Sequence, residues 1–341
     1  MPMPQFAASK LPIFRRLYRR FARNANLISQ DTNGLGGDGM KPPVFAYYAP
    51  TDVDAALGML QEFAREQKHD VKLLAGGQSL MPLLNMRLAH PEIIIDLNQL
   101  STQLSSLRLE DDCLRIGALT RHYQLALQPL IVKHCPLLVE AVKLIGHAAI
   151  ITRGTIGGSL VHADPAAELP LVLTTLGGSV TLASLEKRRE LKVSEFFLSF
   201  LTTGIEDNEL LIEVTVPVLP PGSGQAIEEF SLRHGDFALV AAAAQVTLGT
   251  DGTLAAVRLG IGGAAPTPID CSHLFVPVLK QAPDPSVLRE ILHNVKDHLD
   301  PTADIHASAE YRLELAETLA YRALERAMQK AKVAIAIDSL H

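Results

Sequence analysis

Leu73-Leu74-Ala75-Gly76-Gly77-Gln78-Ser79-Leu80-Met81-Pro82 is a short apolar run that ends on paired glycines and a hydroxyl residue. About eighty residues later comes Thr152-Arg153-Gly154-Thr155-Ile156-Gly157-Gly158-Ser159-Leu160, which continues into His162-Ala163-Asp164-Pro165-Ala166-Ala167-Glu168-Leu169-Pro170. Glycine lets a backbone come close to an anion and offer it several N–H donors. One Gly-Gly pair marks a turn and little else. Two, with different flanking chemistry, suit one extended ligand with a diphosphate in its middle.

Around the first loop the pattern is that of a small βαβ unit. Residues 44–48 are strand-like, Thr51 is a candidate N-cap, and Val53, Ala56, Leu57, Leu60 and Phe63 line one helix face. Residues 71–75 form a strand that runs into the loop, and Ile93-Ile94-Ile95-Asp96-Leu97 forms another. The loop therefore sits at a strand's C-terminal end, where ligands of open α/β sheets bind. It is not the usual dinucleotide fingerprint, because Gly76-Gly77 lacks the G-x-G-x-x-G spacing and Pro82 opposes a long helix after it.

Further along, residues 107–117 read as strand-turn-strand about Glu110-Asp111-Asp112. Thr120 reads as a helix cap, residues 136–145 as a helix, and residues 172–182 and 210–216 as strands. Leu219-Pro220-Pro221-Gly222-Ser223-Gly224 marks a domain boundary. Beyond it, residues 238–248 and 254–261 are small-residue strands or a strand-helix mixture, and residues 287–298 and 307–332 are helical. The expected division is a basic extension at 1–42, a small α/β unit at 43–98, a larger α+β unit at 99–219, and a β-plus-helix domain at 225–335.

Composition narrows the function classes. The chain has 341 residues, 48% hydrophobic and 20% charged, enough for two or three domains. A net charge of −6 and the lack of Trp argue against nucleic acid and anionic membranes as partners. No apolar run reaches the length of a membrane span, so the expectation is a soluble, cytoplasmic protein. Cys113, Cys135 and Cys271 match no metal or cluster spacing and read as reduced thiols. There is no nucleophile motif and no zinc spacing, so neither a catalytic side chain nor a metal site is assigned. Near the N-terminus, Lys10, Arg15, Arg16, Arg19, Arg20 and Arg23 alternate with Phe14, Leu17, Tyr18 and Phe21. A disordered extension is favoured there over a docking or targeting helix.

Leu73-Leu74-Ala75-Gly76-Gly77-Gln78-Ser79-Leu80 with Ile95-Asp96-Leu97 resembles the first flavin-binding stretch of the FAD subunit of molybdenum hydroxylases, the xanthine dehydrogenase and aerobic carbon monoxide dehydrogenase type. Arg153-Gly154-Thr155-Ile156-Gly157-Gly158-Ser159, His162-Ala163-Asp164-Pro165 and Glu168-Leu169-Pro170 resemble the second. Phe230-Ser231-Leu232-Arg233-His234-Gly235-Asp236-Phe237-Ala238, Gly260-Ile261-Gly262-Gly263-Ala264 and Ser308-Ala309-Glu310-Tyr311-Arg312 resemble its C-terminal markers. The motifs run in order over residues 43–327.

The resemblance implies an α+β fold. Two subdomains form an FAD-binding fold of the vanillyl-alcohol-oxidase/PCMH type, followed by a C-terminal β-sheet-and-helix domain. It implies that residues 73–80 wrap the FAD diphosphate and ribityl, with Thr155, Ile156, Gly157, Gly158 and Ser159 cradling the other side. Ile145 becomes an apolar contact, Glu168 a partner of the sugar region, Leu211 a wall of the adenine or flavin site, and Phe237 a ring near the flavin face. His162 is divided between lining the cofactor and an ordinary loop role. Ser159 stands where Asn or Asp is common in the family and Phe237 where Tyr is frequent, which puts acceptor specificity in question.

The function so implied is electron relay. A large molybdenum-cofactor subunit oxidises substrate, and a small subunit with 2Fe-2S clusters passes electrons on. This chain's FAD then delivers them to NAD, oxygen or a quinone, in a heterotrimer or its dimer. Two alternatives stay open: a self-sufficient FAD-dependent reductase of the same fold, and a non-catalytic assembly subunit. Simpler roles also stand beside the functional ones. Asp164 can cap a helix, Asp96 can fix a turn, Arg233 and Asp236 can pair, and Tyr311 and Arg312 can serve packing.

Overall fold

The computed structural model describes residues 41–66, 70–233 and 235–338. The expected basic extension lies almost wholly outside the described residues, as does His234.

The first unit is a three-stranded parallel sheet of β1 (Ala46–Tyr48), β2 (Val71–Leu74) and β3 (Ile93–Asp96), in the order β1-β3-β2. The central strand carries Ile93, Ile94 and Ile95, all buried, as a parallel strand covered on both faces requires. Helix α1 (Val53–Glu66) buries Ala56, Leu57, Leu60 and Phe63 against the sheet, with the Phe63 ring 5.7 Å from Tyr48. Its start is set by Asp52, whose carboxylate accepts from the Ala55 N–H at 2.8 Å, and not by the expected Thr51. Helix α2 (Leu80–Asn85) follows the first glycine loop and lasts six residues.

The second unit is a five-stranded antiparallel sheet. Its strands are β4 (Leu107–Glu110), β5 (Cys113–Gly117), β6 (Ser179–Ala183), β7 (Arg188–Lys192) and β10 (Leu210–Pro217), ordered β4-β5-β10-β6-β7. The β4–β5 turn is Asp111-Asp112 with φ of 50° and 55°, the pair of positive angles a two-residue hairpin needs. A short ribbon, β8 (Phe197–Ser199) with β9 (Thr202–Thr203), projects from it. Helices α3 (Pro136–Leu144), α4 (Ala148–Arg153), α5 (Ile156–His162) and α6 (Glu168–Leu176) frame the side toward the glycine loops.

Three local expectations fail here. Residues 172–182 do not form one strand. Residues 168–176 are helical, Gly177 turns the chain at φ +66°, and only then does β6 begin. All nine residues of α6 are buried, so its apolar run had no polar face to reveal a helical period. Thr120 caps nothing, because the next helix starts from Arg121, and its buried hydroxyl has no hydrogen-bond partner. Asp164 closes a local turn onto the Ala166 N–H at 2.9 Å, two residues ahead of α6.

The C-terminal domain is an antiparallel sheet of β11 (Ser223–Phe230), β12 (Val240–Leu248), β13 (Leu254–Gly262) and β14 (Ile269–Asp270). A 30-residue helix, α7 (Ala309–Asp338), lies across it. Strand β12 reads Val240-Ala241-Ala242-Ala243-Ala244 and is buried on both faces. Period-two alternation divides it between two cores: Ala241 and Ala243 join the core of the second unit, Ala242 and Ala244 that beneath α7. Small side chains are what let helices approach from both sides. A Cβ on Gly224 would lie 2.1 Å from the Ala327 carbonyl oxygen of α7, and one on Gly260 would lie 2.2 Å from Thr175 Oγ1 of α6.

Arg312 pins α7 to the sheet. Its guanidinium donates to the carbonyl of Leu239 and at 2.7 Å to Asp304, which makes it a structural residue. Tyr311 packs edge-on against Phe230 at 6.3 Å. No ion pair joins Arg233 to Asp236 among the described residues; the Asp236 N–H donates to the Arg233 carbonyl at 3.1 Å instead. Cys135 and Cys271 are buried, which pushes their thiols up to about 12, so they are inert packing groups.

Because the Gly224 contact is backbone on backbone, Gly224→Ala must separate β11 from α7. The expected cost is about 2 kcal/mol or more, read as a lowered denaturation midpoint. An unchanged midpoint would show that the two elements are not in close contact.

Candidate functional site

The two glycine loops touch. A Cβ on Gly76 would lie 2.4 Å from the Arg153 carbonyl oxygen and 2.9 Å from Gly154 Cα, so only glycine allows the contact. Gly77 has φ +73°, a conformation that also favours glycine. Gln78 steadies the loop, its side-chain amide donating to the Gly76 carbonyl at 3.0 Å.

A polar chain locks the junction. Asn98 donates to the Ala75 carbonyl at 3.0 Å, and its own side-chain oxygen accepts from Arg121 at 2.6 Å. The other arm of Arg121 donates to the Arg153 carbonyl. Asp96 orients Asn98 by accepting from its backbone N–H at 2.9 Å, and it also accepts from the Tyr47 hydroxyl at 2.6 Å. Asp96 is thus a turn-fixing residue. Its hydrogen bond, more than burial, raises the Tyr47 phenol to about 12. Nothing in the sequence connects Arg121 or Asn98 to the loops, since each lies more than twenty residues from its partner there.

The loops present different chemistry. In the second, the N–H groups of Ile156, Gly157 and Ser159 donate to the carbonyls of Thr120, Ala118 and Thr155, and that of Gly158 to Thr155 Oγ1. These donors hold the fold, and the loop exposes the Gly158 backbone and the half-buried Ser159 side chain. In the first, no intramolecular hydrogen bond takes the backbone N–H of Gly76, Gly77, Gln78, Ser79 or Leu80 among the described residues. Five successive donors without partners, one of them on buried Gly76, suit an anion. They open on a cleft of about 470 Å³ lined by Leu74, Gly76, Gly77, Gln78, Met81, Pro82, Asn85 and Arg153.

The remaining residues gather one helix away. Ile145 ends α3 and is buried, and Gly235 (φ +85°) rests against His147, where a Cβ would meet Cε1 at 2.6 Å. That contact holds Gly235, two residues before Phe237, against His147, two residues after Ile145, and the Phe237 ring is 74% exposed. Helix α4 (Ala148–Arg153), six residues or about 9 Å long, separates His147 at this apolar end from the glycine loops. His162 lies half-buried in the last turn of α5, and the turn after it is held to the C-terminal sheet by the Gly263 N–H, 2.8 Å from the Pro165 carbonyl. Glu168 opens α6 only 9% exposed, and burial raises its carboxyl to about 8. Leu211 points into the core of the second unit at 4% exposure and does not line the cleft.

His122 supports the junction from behind. It is 5% exposed, packs against Gly154, and neither ring nitrogen has a hydrogen-bond partner among the described residues. Burial, opposed in part by the Thr155 backbone and helped by the charge of Arg121, lowers its pKa to about 4.

Comparison with known proteins shows the family of the chain. Residues 43–219 match the FAD binding domain in molybdopterin dehydrogenase, and residues 225–327 the CO dehydrogenase flavoprotein C-terminal domain. The 6-hydroxypseudooxynicotine dehydrogenase complex subunit alpha of Paenarthrobacter nicotinovorans is 40% identical over 86% of this chain and 97% of that protein. The caffeine dehydrogenase subunit beta of Pseudomonas sp. (strain CBB1) is 37% identical over 85% of this chain and 97% of its own length. A structure of carbon monoxide dehydrogenase from Hydrogenophaga pseudoflava superposes with TM-score 0.79 at 32% identity, covering 84% of this chain and 98% of that one.

Two outcomes follow from the junction. Gly76→Ala should drive the loops apart and abolish retention of a bound chromophore through purification; full retention would show that the contact does not shape the site. Unfolded His122 takes up a proton near its usual 6.5, but the folded one only near 4. Stability should therefore fall as pH drops through that window, by about 3 kcal/mol at most. His122→Gln should flatten the fall in denaturation scans, and parallel profiles would exclude His122 as its source.

Proposed function

The chain belongs to the FAD-binding subunits of molybdenum hydroxylases, an oxidoreductase family, and from that we propose that it is the electron-transfer subunit of such a complex. In this reading a large molybdenum-cofactor subunit oxidises the substrate. A small subunit with 2Fe-2S clusters delivers the electrons, and an external acceptor such as NAD, oxygen or a quinone removes them. The assembly would be a heterotrimer or its dimer in the cytoplasm. No helix among the described residues is long and apolar enough to cross a membrane.

The observation that carries the reading is the run of five unpartnered N–H donors from Gly76 to Leu80, anchored where Gly76 packs on the Arg153–Gly154 backbone. Those donors, with Leu73, Leu74 and Ala75 behind them, would hold the diphosphate, and Arg153 at the cleft wall would add positive charge. Thr155, Ile156, Gly157, Gly158 and Ser159 would close the opposite side, the Ser159 hydroxyl being the group free to bond. Ile145 and Phe237 would cover the ring system at the far end of α4, with His162 and Glu168 along the way. The spacing of about 9 Å between these ends suits an extended dinucleotide. Bound FAD supplies the redox chemistry; the chain's residues bind it, orient it and set its surroundings. Exposed Leu198, Phe200 and Leu201 on the β8–β9 ribbon are the kind of apolar surface that subunit association covers, which supports a multi-subunit setting.

The purified chain should show the two-band visible spectrum of a flavin and release FAD on heating. It should also copurify with a molybdenum-containing and an iron–sulfur subunit when all three are expressed together. A folded chain that stays colourless with added FAD would end the electron-relay reading.

A further inference from the structure

Helix α2 leaves the first glycine loop and lines its cleft. Leu84 on this helix is fully buried and anchors it to the first unit. Met81 and Asn85 stand four residues apart, so they share a helix face, and both line the cleft. Leu74 and Pro82 give the same part of the cleft an apolar surround, and Arg153 reaches it from the second unit.

The polar side chains of the cleft divide by role. Gln78 is committed to the Gly76 carbonyl at 3.0 Å. Arg153 is a cation and suits phosphate. Asn85 remains, and its half-buried carboxamide has no hydrogen-bond partner among the described residues. A carboxamide offers a donor and an acceptor side by side in one plane. Asparagine pairs in that way with the amino group and N7 of adenine. The Met81 thioether beside it is a soft apolar group that packs well on an aromatic ring. The distance fits as well. Asn85 lies five residues along the helix from Leu80, the last of the free donors, or about 8 Å. A ribose between phosphate and base covers such a span.

We propose that Asn85 is the residue that reads the nucleobase: its carboxamide pairs with the amino group and N7 of adenine in the bound dinucleotide, and the base lies on Met81. The proposal deepens the flavin reading above and rests on it for the identity of the cofactor. It also gives the ligand a direction. The adenosine arm runs along α2, the diphosphate stays on the donors of residues 76–80, and the flavin lies toward Ile145 and Phe237. Guanine presents two acceptors on the edge where adenine has a donor and an acceptor, so the Asn85 oxygen would face one of them unpaired. The site therefore prefers adenine.

The test uses the full chain freed of cofactor. FAD and FMN are titrated in and followed by flavin fluorescence, and ADP and GDP by calorimetry, for wild type, Asn85→Ala and Met81→Ala. Asn85→Ala breaks no internal hydrogen bond, so its denaturation midpoint without ligand should match wild type. Wild type should prefer ADP to GDP. Asn85→Ala should weaken FAD and ADP about tenfold and leave GDP and FMN unchanged. Met81→Ala should weaken ADP and GDP alike, because packing on a ring does not tell the two bases apart. Equal affinity of wild type for ADP and GDP overturns the proposal. An unchanged FAD affinity in Asn85→Ala does so too, and leaves the flavin reading standing. Equal losses of FAD and FMN in that variant would put the flavin ring at Asn85 and overturn it as well. ADP binding that depends on Asn85 in a chain that takes no FAD would sink the flavin reading and keep the base site. A chain that binds neither ADP nor FAD sinks both.

Discussion

Two backbones meet where Gly76 packs on Arg153 and Gly154, and the rest of the site depends on that contact. A single Cβ would prop the first unit away from the second. Because none is present, the polar chain from Ala75 through Asn98 and Arg121 to the Arg153 carbonyl can close across the seam. Arg121 itself donates only to carbonyl oxygens there, those of Asn98 and Arg153, while the Asp96 carboxylate holds Asn98 in place. The anion-ready donors then lie in the first unit and the rigid wall in the second. Neither unit holds the site alone.

The C-terminal domain is joined by a different device. Strand β12 has four successive alanines, Ala241 to Ala244, and they alternate between separate cores. That arrangement seats α6 and α7 on opposite faces of one sheet at glycine-close distance. It also draws the sheet's polar residues into the seam, where each has to be satisfied or neutralised. Gln225 is satisfied by Leu137 and Gln245, and Glu228 by Arg326; the buried Oε2 of Glu229 has no hydrogen-bond partner among the described residues.

Much of this was legible from local pattern. The Asp111-Asp112 hairpin, the isoleucine strand before Asp96 and the apolar face of α1 are encoded by nearest neighbours along the chain. The misreading of residues 172–182 has the opposite cause. A helix buried on every side shows no period, and only Gly177 hints at where it stops. The N-cap fell to Asp52 in place of Thr51 because both side chains suit the role and one residue of offset leaves little trace in composition. Arg121 and Asn98 escaped notice because their roles arise from partners far off in sequence.

By itself the sequence determined the places where the backbone had to come close to something: Gly76-Gly77 and Gly157-Gly158 declare this because glycine is costly wherever it is not needed. It also determined the order of the motifs, and with them the family. Only the tertiary structure decided what each glycine approaches. Gly76 approaches the other loop's backbone, Gly157 the Ala118 carbonyl, Gly224 the long helix, and the run of five donors left over lies in the first loop. The reason is physical: a hydrogen-bond donor has one partner, and which donors remain for a ligand is known only when every segment that competes for them has been packed in place.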